Sequence, residues 1–252
     1  MNNKNKILLI ILTIITLITV PGYGDNGNQV HINGGLLQLP NEIVEWIEYS
    51  KEIFIAQTYE YEDDLYVFVS YGEKPTGGYT VEITDIDEKS DALEVVVNFT
   101  QPNPDDNVTH AITYPYDMKV VEPTDKEIIF IAEGSESYVP TLLYIDKLEP
   151  IVAGKKGIMV FEPAPESETG KSINFRGIAN TFEGTVNYRI ETLVGDELLE
   201  GYTTGAMMDW GYFEENIEIP NDAPSELSLI IFTYSAKDGS VEDEFEIPLT
   251  VK

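Results

Sequence analysis

Alternation with a period of two is the feature that most restricts how this chain can fold. Leu65, Val67, Val69 and Tyr71 form one such set. Tyr79, Val81 and Ile83 form a second, and Leu93, Val95, Val97 and Phe99 a third. Only a strand sends every second side chain to the same face, so each set predicts a strand with one face buried. "YDMKVVE" and "KEIIFIAE" (Lys126 to Glu133) add two more. The polar clusters "YEDD", "DIDEKSD" and "QPNPDDN" read as turns between them. From Ile158 the pattern resumes in seven stretches: "GIMVFEP", "SINFRGIA", "TVNYRIETL", "ELLEGYTT", "YFEENIEIP", "LSLIIFTYS" and "EFEIPLTVK". Short strands, frequent turns and no helical period predict a β-sandwich there. In the last stretch Phe245, Ile247, Leu249 and Val251 face one way and Pro248 the other. Proline has no N–H to give a ladder, so this strand is expected at a sheet edge.

One segment breaks the pattern. "NEIVEWIEYSK" puts Ile43, Val44 and Ile47 on one helical face, with Asn41 as the expected cap and Glu42 and Glu45 in the first turn. The chain is therefore expected to be mostly β: a small β-rich domain with one N-terminal helix over 41–135, then a β-sandwich over 157–252. "GSESYVP", Gly134 to Pro140, reads as a boundary, and 136–156 as a linker or packed connection. The two halves share no internal repeat.

Residues 1–24 follow the order of a secretory signal peptide. Lys4 and Lys6 precede the apolar run Ile7 to Val20, and "PGYG" supplies small residues. The run is shorter than the roughly 18 residues of a membrane span. An uncleaved anchor is the alternative; without cysteine there is no lipid-anchored form. Residues 25–40 read as a loose leader rich in Gly and Asn. Export without cysteine means that each domain must stand on its core rather than on disulfides.

Charge excludes several function classes. Residues 25–150 hold 6 basic and 26 acidic side chains, and residues 151–252 hold 7 and 19. Acidity spread in this way confers solubility and self-repulsion. It leaves no basic patch to release counterions from nucleic acid and none to dock electrostatically on anionic lipid.

Motifs for chemistry fail on inspection. "SETGKS" needs a glycine where Pro165 stands, and strand rather than helix follows it, so it is no phosphate loop. "DIDEKSDALE" has Lys89 and Ser90 where a calcium loop needs a ligand and a glycine; weak calcium binding is the most it implies. His31 and His110 are the only histidines and have no partner at fixed spacing, so no metal site and no cofactor is expected. A carboxylate-based hydrolase gains no specific support from 45 acids scattered along the chain. "NFT" and "NVT" match the acceptor sequon by pattern alone.

One loop stands apart. In "YGEKPTGGYTVEI", Lys74, Pro75, Thr76, Gly77, Gly78 and Tyr79 join two strands. Pro75 fixes φ, Gly77 or Gly78 supplies a positive φ, and Tyr79 returns to the sheet. The turn does not require Lys74 or Thr76. Lys74 is expected to pair with a nearby acid, or the loop to touch a partner.

The order "YVFVSYGEKPTGGYTVEI" followed by "YPYD", Tyr114 to Asp117, resembles the protease complex subunit PrcB family over about 50–133. That resemblance implies a non-catalytic exported component associated with a protease. "INFRGIANTFEGTVNYRI", with Gly177, Ala179, Phe182, Glu183, Val186 and Tyr188, is similar to the immunoglobulin-like domain of bacterial spore-germination proteins, over about 157–252. It implies a sandwich in the envelope of a Gram-positive bacterium, without catalysis. "KPTGGY" is also similar to the Pro-Thr-Thr-Gly-Tyr loop of chagasin-type cysteine-protease inhibitors, whose Gly-x-Gly and Arg-Pro-aromatic loops have no counterpart after residue 24. The expectation is an exported, non-catalytic binding protein of the cell envelope. Its expected partner is another secreted or envelope protein such as a protease. Protease inhibition through Lys74–Tyr79 and a role in germination or sporulation are the alternatives.

Overall fold

The computed structural model describes residues 29–32 and 35–252. The signal segment assigned to 1–24 lies outside them. No helix among the described residues is long and apolar enough to cross a membrane. The chain divides into two compact units. Unit 1 takes the chain to Thr141 plus Asp146–Leu148, and unit 2 takes Leu142–Ile145 plus Glu149–Lys252.

Part of the expected loose leader is a hairpin. β1 (Gln29–Ile32) pairs antiparallel with β2 (Gly35–Gln38), Gln29 opposite Gln38. The sequence between them is Asn33-Gly34, the dipeptide that two-residue hairpins favour.

α1 (Asn41–Ser50) follows, but Pro40 rather than Asn41 occupies its N-cap. The Pro40 carbonyl accepts the N–H groups of Ile43 and Val44, each at 3.1 Å. The buried face is Ile43, Trp46, Ile47 and Ser50, while Val44 is half-buried. Strands β3 (Phe54–Tyr61), β4 (Asp64–Tyr71), β5 (Thr80–Glu88), β6 (Ala92–Thr100), β7 (Tyr116–Val121) and β8 (Glu127–Gly134) complete the unit. They form two three-stranded sheets, ordered β3-β4-β7 and β5-β6-β8. All pairs are antiparallel except β6 with β8. Val67, Val69, Tyr71, Val81, Ile83, Val95, Val97 and Phe99 build one core cluster from both sheets.

β4 does not alternate in burial: every residue from Leu65 to Tyr71 is buried. α1 accounts for the second face. The Trp46 ring packs 5.3 Å from Phe68 and 5.5 Å from Tyr59. Its Nε1 donates to Gln57 Oε1 at 3.1 Å, and Gln57 Nε2 donates to Ser50 Oγ at 2.8 Å. A buried indole N–H and amide thus find partners in each other.

The residues read as a boundary belong to unit 1. Val139 is in its core, and Ala56 N–H donates to the Pro140 carbonyl at 2.7 Å. Within 136–156 the short β9 (Leu142–Leu143) and β10 (Ala153–Lys155) join the sheets of unit 2.

Unit 2 continues with β11 (Ile158–Glu162), β12 (Ser167–Thr169), β13 (Ser172–Ala179), β14 (Thr185–Thr192), β15 (Glu197–Thr204), β16 (Trp210–Glu218), β17 (Glu226–Tyr234) and β18 (Val241–Val251). Two five-stranded sheets result, ordered β10-β11-β13-β16-β9 and β12-β18-β17-β14-β15. The core draws Val160, Phe175 and Phe213 from the first and Val186, Tyr188, Ile231 and Ile247 from the second. This is a β-sandwich. β18 is not an edge strand, because β12 pairs with it in parallel. That pairing starts at Leu249, one residue after Pro248, so the missing proline N–H falls just outside the ladder; the Pro248 carbonyl accepts Glu166 N–H at 2.7 Å.

Candidate functional site

The loop between β4 and β5 is built on close backbone approaches. Gly72 has φ +70°, and a Cβ there would stand 2.7 Å from the Phe54 nitrogen. The chain then runs antiparallel to a second loop. Lys74 N–H donates to the Thr113 carbonyl at 2.9 Å, and Thr113 N–H returns to the Lys74 carbonyl at 3.0 Å. Thr113 Oγ1 donates to the Thr76 carbonyl at 2.9 Å, and Gly77 N–H donates to the Thr109 carbonyl at 2.9 Å.

The two glycines have different jobs. Gly78 is the residue at positive φ, +88°. Gly77 is there for space: a Cβ would lie 2.4 Å from Thr109 Oγ1. Tyr79 follows with its ring 6.0 Å from Tyr71.

Lys74 makes no ion pair with a described carboxylate, contrary to the expectation of an acid partner. Its Nζ lies 3.8 Å from the Tyr71 ring centroid and 5.7 Å from those of Phe54 and Tyr79. Aromatic faces carry partial negative charge and attract an ammonium group. Burial among them lowers the Lys74 pKa, and the Glu136 carboxylate partly opposes that. Tyr71 hydroxyl donates to Glu136 Oε1 at 2.6 Å and accepts from Gln101 Nε2 at 3.1 Å. Burial, and then the Glu136 bond, raise the Tyr71 pKa. The cation is thus engaged with its own domain.

Projection falls to other residues. Pro75 and Gly78 are exposed, while Thr76 and Gly77 are half-buried. The isolated antiparallel bridge between Lys74 and Thr113 is flanked by exposed Pro75 on one loop and by Ile112, 58% exposed, on the other. The sequence reading missed Ile112, Thr109 and Thr113. The available signal was an isolated isoleucine in "NVTHAITYP", flanked by turn residues. The 102–113 segment holds this loop. This Pro75–Ile112 ridge is apolar and exposed, and the loops that carry it are tied together by four hydrogen bonds.

"YPYD" has a structural role. Asp117 is fully buried on β7. Its Oδ2 accepts Ile83 N–H from β5 at 2.8 Å and stands 3.4 Å from Lys119 Nζ, while Oδ1 accepts Met118 N–H at 2.9 Å. One carboxylate thus joins the two sheets. His110 is exposed. Among the described residues, no group of three His, Cys, Asp or Glu is placed to hold a metal ion.

Residues 65–122 match the family model for the PrcB C-terminal region. That span begins in β4, contains the whole loop and ends just after β7. Residues 157–240 match the immunoglobulin-like domain of bacterial spore germination, which covers β11 to the end of the β17–β18 turn. Both stand in the expected order, and both are non-catalytic, accessory kinds of domain. No curated protein matches the chain.

Proposed function

We propose that the protein is an exported, non-catalytic component of a bacterial cell envelope. Its first unit holds or stabilises another protein, a protease being the kind of partner that the PrcB resemblance implies. The observation that carries this reading is the Pro75–Ile112 ridge. A loop held by four hydrogen bonds to its neighbour loses little further freedom on binding, and it offers apolar side chains that its own core does not use. The spore-germination match of unit 2 supports an envelope setting.

The test is affinity capture from the envelope fraction of the source cell with immobilised wild-type chain and with Ile112→Asp. A specific partner should be retained by the wild type at low and moderate salt and lost from the variant. Equal retention by both would remove the ridge from the reading. No specific partner at either salt would remove the reading itself. Inhibition is separable: papain-like and subtilisin-like proteases whose rates stay unchanged at micromolar protein are not inhibited through Lys74–Tyr79.

A further inference from the structure

β8 is the outermost strand of its sheet, with β6 on one side. Among the described residues, no strand and no backbone hydrogen bond meets its other side. An open strand edge is a template for another strand, and proteins normally guard it with lysine, proline, a bulge, shortness or a cover. Six of the other edges here carry such guards. β3 is met by Pro140 and Thr141. β5 carries a bulge at Ile83/Asp85. β15 is irregular opposite Ile190/Glu191 and has Gly201 inside it. β9, β10 and β12 have two or three residues each.

β8 has none of these. Its register with β6 runs unbroken from Ala92 opposite Glu127 to Phe99 opposite Gly134. "EIIFIAEG" contains no lysine and no proline. Its solvent face reads Glu127, Ile129, Ile131, Glu133, with Ile129 39% and Ile131 37% exposed. Ile128, Phe130 and Ala132 face the core and are only half-buried there, so the core is open along this edge.

A second copy of this chain does not fit. Antiparallel pairing of two β8 strands about Phe130 would set Glu127 opposite Glu133 at both ends. Like charges directly opposite destabilise a pair, and the chain as a whole carries 45 acids against 15 bases. The same two glutamates favour a strand with bases six residues apart and apolar residues between them.

We propose that β8 is a strand-addition site for an extended segment of a partner protein. The solvent face of that segment would read basic, apolar, apolar, basic at alternate positions, over seven residues. Backbone pairing supplies the attachment, Ile129 and Ile131 the apolar contact, and Glu127 and Glu133 the selection. The site is independent of the Pro75–Ile112 ridge, which lies on the β4–β5 connection, so either can fail without the other.

The test titrates the full chain into a dye-labelled peptide, Ser-Lys-Thr-Val-Thr-Val-Thr-Lys-Ser, read by fluorescence anisotropy. Saturable binding is expected, at least about tenfold tighter than for the same peptide with both lysines replaced by glutamate. Glu127→Lys/Glu133→Lys should invert that preference. Amide exchange should slow in Glu127–Glu133 when the peptide binds. A scrambled peptide of the same composition that binds equally, or binding without protection of β8, overturns the proposal. A wild-type chain that dimerises through β8 overturns it too, because the occupant is then a second copy. In sedimentation, Glu127→Lys alone should shift monomer towards dimer, since each copy then sets a lysine opposite the Glu133 of the other. The double variant should remain monomeric. Unchanged far-ultraviolet dichroism confirms that the variants fold.

Discussion

Asp117→Ala tests the claim that one buried carboxylate joins the two sheets of unit 1. The carboxylate is fully buried, and the Lys119 side chain is 4% exposed. The substitution leaves the Ile83 amide without the acceptor now at 2.8 Å. It also removes the carboxylate that faces the Lys119 ammonium. An unmet buried amide costs about 1–3 kcal/mol, and breaking a buried ion pair from one side about 3–5 kcal/mol. The two overlap, because both count desolvation of the same site, so about 3–4 kcal/mol is expected for the sum. Asp117→Asn keeps an acceptor oxygen and loses only charge, so it should cost less, about 2 kcal/mol. Adding Lys119→Met to Asp117→Asn should then recover stability, because a cation no longer lies buried beside a neutral amide. The assay is urea unfolding followed by tryptophan fluorescence. The chain has two tryptophans, Trp46 in unit 1 and Trp210 in unit 2, so a Trp210→Phe background reports unit 1 alone. With a slope of about 1–3 kcal/mol per molar urea, Asp117→Ala should lower the midpoint by about 2 M. A loss below about 1 kcal/mol would show that the sheets are held by apolar packing and that Asp117 is incidental. So would a double variant no more stable than Asp117→Asn.

Lys74→Met should change stability by no more than about 1 kcal/mol, since desolvation of the ammonium and its attraction to the rings oppose each other. Lys74→Ala, which also deletes the apolar stem lying on Tyr71, should cost more in the same urea assay. Burial, and secondarily Glu48, push the Tyr116 hydroxyl up to about 12. A folded pKa above the unfolded value of about 10 means stability present below pH 10 and lost as pH rises towards 12, to the extent of ~3 kcal/mol. Urea midpoints at pH 9 and pH 11 should therefore diverge, and Tyr116→Phe should reduce the divergence. Gly177→Ala would place a Cβ 2.1 Å from the Met159 carbonyl oxygen and 3.0 Å from Phe213 Cζ, forcing β11 and β13 apart. It should destabilise unit 2 by at least about 2 kcal/mol in calorimetry, leaving the unit 1 transition in place.

Strands with one wet face were legible in the sequence, because solvent writes the alternation. All seven stretches from Ile158 onward are strands, and so are the five in unit 1. β4 lacks the alternation in its burial because α1 covers the second face, a tertiary fact that no window of sequence contains. β9, β10 and β12 were invisible at two or three residues, too short for a period. The helix began one residue away from its expected cap, since the carbonyl of Pro40 served where the side chain of Asn41 was expected to. Pro248 suggested an edge because proline excludes only its own N–H, and a neighbour that begins one residue later is compatible with it. In the loop, positive φ was legible as Gly-Gly, but the destination of Lys74 was not. Its aromatic surroundings come from Phe54, Tyr71 and Tyr79, which the fold alone assembles.

The acidity of unit 1 acquires a sharper meaning once its bases are located. Lys51 pairs with Glu48, Lys89 with Asp87, Lys119 with Asp117, Lys126 with Glu88 and Lys147 with Glu42. Lys74 lies on Tyr71. All six bases of residues 25–150 are thus engaged within the unit, against 26 acids. Residues 25–150 therefore present a strongly net-negative surface. Charge of one sign spread so evenly speeds encounter with a basic partner but cannot choose an orientation. Orientation must come from the places where the surface turns apolar, Pro75 with Ile112 and Ile129 with Ile131. Association and dissociation should therefore respond differently to salt. Raising ionic strength should slow the on-rate steeply, since exposed charges are screened beyond about 10 Å at 0.1 M. The off-rate should change less, because apolar contacts and backbone pairing hold the complex beside the Glu127 and Glu133 pairs. An interface governed by ion pairs would show the reverse, with dissociation accelerating as salt rises.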